Sequence, residues 1–225
     1  MLKIFDSLAD WMQLQGMKAN TIAHIDGISL ASNRPHQNGV FKQIIEGALS
    51  LVRKHDPRRY ARITQHFRWI LNAYLVGPMD GMFVSSTRTC VINFGWLPGA
   101  NHDLLEAMYA GILVHESTHA VLEFRGIRSE DENRLRIERL CFEEQNRFIA
   151  RLAAADPVRF PRRVLHIKFD DHLYKQFYNN PLRRGFSLLS RLASITALEP
   201  TATPNGGQAP PPDKSAALGG PPSVS

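Results

Sequence analysis

Ile112-Leu113-Val114-His115-Glu116-Ser117-Thr118-His119-Ala120-Val121-Leu122-Glu123 is the stretch from which the rest of the chain is best read. With Leu104, Leu105 and Met108 before it, the apolar residues keep helical spacing, Asn101 or Asp103 can cap the start, and Gly126 ends the segment. His115 and His119 are four residues apart, so on a helix they share one face about one turn apart. Both imidazoles can then reach a single cation. Glu116 projects about 100° round from His115, where it can meet a water beside the cation instead of the cation itself. Zinc suits two neutral imidazoles and lowers the pKa of a bound water towards neutrality, and a nearby carboxylate can take the proton. The five-residue pattern alone arises by chance in about one or two chains in a hundred of this length, so a third ligand is needed.

Catalytic zinc sites keep three protein ligands. Downstream carboxylates are Glu123, Glu130, Glu132, Glu138, Glu143 and Glu144. Glu123 would put three successive turns of one helix onto one ion. Ser129-Glu130-Asp131-Glu132 reads as a capping box opening the next helix, which engages Glu130 and Glu132. On that helix Leu135, Cys141, Phe142, Gln145, Ile149 and Leu152 fall within about 60° of Glu138. Glu138 therefore points into the apolar stripe, where an unpaired carboxylate is costly and a metal, or an arginine of a neighbouring helix, would compensate it. Glu143 lies about 140° away and Glu144 about 120°, so Glu144 at the stripe's edge stays a rival.

Eighteen residues separate His119 from Glu138. His-Glu-x-x-His with a glutamate at that distance is similar to the gluzincin metallopeptidases, in which a second helix supplies the glutamate. The resemblance implies that His115, His119 and Glu138 ligate zinc and that Glu116 is the general base in hydrolysis of an amide. It covers about Met82 to Ala155, and zincins hold substrate along an edge strand beside the site helix. Thr89 to Asn93 is the candidate for that strand by position. The stretch from Asp56 to Ala155 also resembles small uncharacterised bacterial zincin-like proteins.

Departures limit what is carried over. There is no Gly-x-Met-Glu-Asn segment of the gluzincin aminopeptidases, and Arg136-Ile137-Glu138-Arg139-Leu140-Cys141 is not the Asn-Glu-x-x-Ser-Asp of thermolysin-like enzymes. Glu144-Gln145-Asn146-Arg147-Phe148 is similar to the Glu-Ala-Asn-x-Phe-Ala of another zincin group, which keeps Glu144 in play. An oxyanion-stabilising side chain would come from His166, His172, Tyr174 or Tyr178, with His172 and Tyr174 first. Met82, Trp96 and Tyr109 read as core.

The expected fold class is α+β, a mostly helical zincin-like domain over residues 1–200 with a small antiparallel sheet beside the site helix. Residues 4–14 suggest a short helix followed by polar loop. Val40, Phe41, Ile44, Ile45, Ala48, Leu49 and Val52 mark a helix. Asp56-Pro57 opens another, with Tyr60, Ile63, Phe67, Ile70 and Leu71 as its stripe. Met82 to Ser85 and Thr89 to Phe94 are β-prone, as is Val164 to Phe169, and amphipathic stretches follow at 173–178 and 182–195. Residues 201–225, rich in Pro, Gly, Ala and Ser, read as a disordered tail.

The chain has 225 residues, a net charge of +6 and a pI of about 9.6. Its basic residues are scattered, which permits nucleic acid as a partner without requiring it, while a peptide or protein substrate is what the gluzincin resemblance implies. Cys90 and Cys141 read as free thiols, and without a signal peptide or an apolar span of membrane length the default compartment is cytoplasmic. The alternative to an enzyme is a non-catalytic zincin-like module that keeps zinc while binding a protein or nucleic acid. Oligomeric state is not legible.

Overall fold

A computed structural model describes residues 2–75, 80–95, 101–127 and 133–170, with side chains from residue 10 onward. The fold is α+β, with a five-stranded mixed sheet between helices. Helix α1 (Leu2–Ala19) leads into a hairpin of β1 (Thr21–Ile25) and β2 (Ile28–Ser32). Asp26 and Gly27 both have positive φ, 47° and 83°, the geometry of a two-residue type I′ turn. Helices α2 (Asn38–His55) and α3 (Pro57–His66) follow, then β3 (Trp69–Asn72), β4 (Gly81–Val84) and β5 (Thr89–Ile92). The long α4 (His102–Phe124), α5 (Arg134–Ala155) and the single turn α6 (Arg162–Leu165) complete the described chain.

The sheet runs β1-β2-β3-β5-β4, with β2, β3 and β5 parallel and the outer pairs antiparallel. Alternation along each strand divides the core. Ile28, Leu30, Ile70, Cys90 and Ile92 face α2 and α4, while Ala31, Leu71 and Val91 pack with Met17 of α1 on the other face. The result is three layers, with α1 on one face.

Several expectations are corrected. The sheet is mixed, not antiparallel, because β2 pairs with β3 in parallel and β3 with β5, the strand two further along the chain. Residues 21–32 are a hairpin, not polar loop. The stripe assigned to one helix is split: α3 stops at His66, Phe67 turns extended, and Ile70 and Leu71 belong to β3. Val164 to Phe169, expected to be β-prone, forms no strand: its first two residues end the helical turn Arg162–Leu165 and the rest is irregular. The Asp56 cap holds, its Oδ1 accepting from the Arg59 amide at 3.2 Å with Pro57 at the first helical position. The capping box at Ser129, Trp96, the amphipathic stretches after 171 and the tail lie outside the described residues. Among the described residues no helix is long and apolar enough to cross a membrane.

Candidate metal centre

Helix α4 runs through the middle of the molecule, and every residue from Tyr109 to Thr118 is buried. Asn101 caps it, its Oδ1 accepting from the Leu104 amide at 3.2 Å, and Gly126 at φ 79° ends it with Ile127 N donating to Leu122 O. Helix α5 lies antiparallel against it. Gly111 makes the close approach possible, since a Cβ there would sit 3.2 Å from Gln145 Nε2 and 3.3 Å from its Cγ. One turn further on, His115 meets Phe142 edge-on at 4.6 Å, and beyond it both histidines face Glu138.

The three expected ligands come together. His115 Nε2 and His119 Nε2 are 3.2 Å apart, and the two oxygens of Glu138 lie 3.4 Å from His115 Nε2 and 3.5 Å from His119 Nε2. A cation held tetrahedrally by such ligands places neighbouring donors about 3.3 Å apart, which is close to the spacing of the two imidazole nitrogens, while each imidazole has a different Glu138 oxygen beside it. Burial works against the charged form of His119. Hydrogen bonds with Cys141 and Glu138, and the buried Glu116 nearby, nevertheless hold its imidazolium pKa well above the ordinary value. Burial would raise Glu138, but hydrogen bonds from His115 and His119 outweigh it and hold the carboxyl far below its usual range. In the metal-free chain these donors share protons that a cation would displace.

Glu116 lies one position round the helix, facing the sheet. It is buried, which pushes its pKa up, while the two site imidazoles pull it back and the backbone amide of Phe83 donates to it. Strand β4 is therefore pressed onto this carboxylate. A Cβ at Gly81 would sit 2.7 Å from Glu116 Oε1 and 2.9 Å from Ile112 Cγ2, so only glycine fits there without displacing them. The strand beside the site is thus β4, the edge strand. Thr89 to Asn93 was the wrong choice, because β5 is enclosed between β3 and β4.

The intervening hydroxyls are not reactive groups. Ser117 Oγ and Thr118 Oγ1 both donate to Val114 O, at 2.8 and 2.9 Å, satisfying buried hydroxyls within their own helix. Thr118 Oγ1 also receives Arg62 Nη1 at 3.4 Å.

Glu144 is directed elsewhere. Its Oε2 pairs with Arg59 Nη2 at 2.7 Å and Arg62 Nη1 at 3.6 Å, and its Oε1 with Arg147 Nη1 at 2.6 Å. Arg59 also binds buried Asp56, which Arg151 reaches at 2.6 Å, so this network ties α5 to the start of α3. Burial alone would raise the Glu144 pKa, but Arg59, Arg147 and Arg62 lower it overall. A depressed carboxyl contributes stability that is present above its unfolded pKa of about 4.3 and is lost as pH falls through the lower folded value. Glu144→Gln should accordingly lose less stability than the parent chain between about pH 5 and pH 3 in urea melts. Equal losses in the two chains would contradict the pairing.

Cys141, expected as a free thiol on the apolar stripe of α5, is free and buried and also stands in the cluster. Its Sγ and the two imidazoles offer donor atoms all within 4.8 Å of one another. The available signal was its place three residues after Glu138, on the same wheel face. Of the other expectations, Tyr109 is core, its hydroxyl bonded to the backbone of Gly95, and Met82 packs beneath the sheet. His166 follows α6 and is exposed, while His172, Tyr174 and Tyr178 lie outside the described residues. No family model matches the chain, and no curated protein or solved structure matches it significantly.

Proposed function

We propose that this chain is a zinc-dependent hydrolase of the gluzincin type, acting on a peptide or another amide. The observation that carries the reading is the convergence of His115, His119 and Glu138 from two antiparallel helices, each imidazole with a Glu138 oxygen beside it, and a buried carboxylate nearby that is not one of the three. His115, His119 and Glu138 would hold the ion. Bound zinc supplies Lewis acidity towards a carbonyl oxygen and makes a water acidic enough to give up its proton near neutral pH.

The remaining work falls to side chains. Glu116 accepts the proton of the attacking water at a carboxylate oxygen and returns it to the leaving nitrogen. Burial suits it to both steps, because a raised pKa brings the carboxyl nearer the operating pH. Phe83 N–H fixes which way the carboxylate turns. Ile112 and the backbone at Gly81 exclude bulk water from that side.

The test is direct. Purified full-length chain should carry roughly one zinc by elemental analysis and cleave a fluorogenic peptide library, with cleavage lost on chelation and restored by zinc. Metal-free protein that takes up no zinc would end the proposal, and so would zinc-loaded protein that cleaves no amide.

A further inference from the structure

Beside the two imidazoles that Glu138 faces stands a further candidate donor, Cys141. Cys141 is fully buried on α5, three residues after Glu138, so both side chains leave the helix on the face turned to α4. His115 and His119, four apart, project from α4 to meet them. Cys141 is hydrogen-bonded to His119, and its Sγ lies within 4.8 Å of both imidazole nitrogens. A buried cysteine ordinarily fills space among apolar groups. Cys90 does so on β5, where it belongs to the main apolar core. Cys141 instead turns its sulfur onto the pair of imidazoles that face the carboxylate.

We infer that Cys141 supplies a fourth, thiolate donor to the metal, so that the resting centre is closed by protein with a two-histidine, one-glutamate, one-cysteine set. The inference rests on the metal-centre reading above and changes what that centre does at rest. Two nitrogens, a carboxylate oxygen and a sulfur are all ordinary zinc donors, and four protein ligands are the mark of a centre without an open position. A hydrolytic water therefore has to displace the Cys141 sulfur, and the chain holds its own competitor for that position. The thiolate also biases the site towards softer ions such as zinc and away from magnesium or calcium.

Cobalt(II) is the probe, because a thiolate ligand gives it a charge-transfer band in the near ultraviolet that nitrogen and oxygen ligands do not. Full-length chain loaded with cobalt should show that band, Cys90→Ser should keep it, and Cys141→Ser should lose it while still binding cobalt. The chain has only these two cysteines, so the band in Cys90→Ser assigns the ligand even if Cys141→Ser fails to fold. Cobalt bound without the band overturns the inference and leaves the three-ligand hydrolase standing. A band that disappears in Cys90→Ser overturns it as well. Failure to bind cobalt or zinc at all removes the metal centre itself, and both readings with it.

Discussion

Glu138→Ala is expected to purify nearly free of zinc and to bind added zinc at least about 100-fold more weakly than the parent chain, because loss of an outer partner alone costs 10–100-fold. Glu144→Gln should keep its zinc. The contrast follows from where the two carboxylates point. Glu138 has an oxygen near each imidazole, at 3.4 and 3.5 Å, whereas Glu144 is held by Arg59 on α3 and Arg147 on its own helix. His119→Ala should behave as Glu138→Ala does. Its ring faces Cys141 and Glu138, and without it one of the expected donors is missing. Isothermal titration with zinc checks all three variants. A Glu144→Gln chain that loses zinc while Glu138→Ala retains it would reverse the ligand assignment.

Glu116→Gln separates binding from chemistry. The amide keeps the size and the hydrogen-bond acceptor of the carboxylate but cannot take up a proton, so turnover should fall about 10²–10⁴-fold. Zinc content and melting temperature should stay near those of the parent chain, because Glu116 faces Gly81 and Phe83 and is not one of the proposed ligands. Glutamine is also the kinder replacement structurally, since a charge is removed from a buried position. Parallel zinc assays and peptide cleavage give the answer. Cleavage at the parent rate would mean that another group acts as base.

Helix α4 and the shared face of His115 and His119 were legible in the sequence because they depend on local rules. Spacing of four puts His115 and His119 on one face, and the wheel about Glu138 needs nothing beyond the helical repeat. The sheet was less accessible for a physical reason. Pairing of β3 with β5 is a long-range contact between parallel segments, and no local pattern records it. Choosing β5 as the edge strand followed from that gap. Other misses had signals that were overridden. Asp26-Gly27 between Thr21–Ile25 and Ile28–Ser32 is a strong hairpin signal, and the polar flanks hid it. Phe67, Ile70 and Leu71 continue a helical spacing by coincidence, while Trp69-Ile70-Leu71 is equally a short buried strand. Cys141 shows the limit of periodicity, which places a residue on a face but cannot say whether its sulfur fills a gap or serves as a donor.

The antiparallel seating of α4 on α5, with Gly111 against Gln145, has a consequence of another kind. His119 and Glu138 stand at the two ends of an eighteen-residue connection. An ion bridging them would act as a removable crosslink that closes this loop and restricts the unfolded chain. On the proposed reading, metal supply would therefore govern how long the molecule survives proteases as well as what it can cleave, and starvation for zinc would lower its abundance together with its activity.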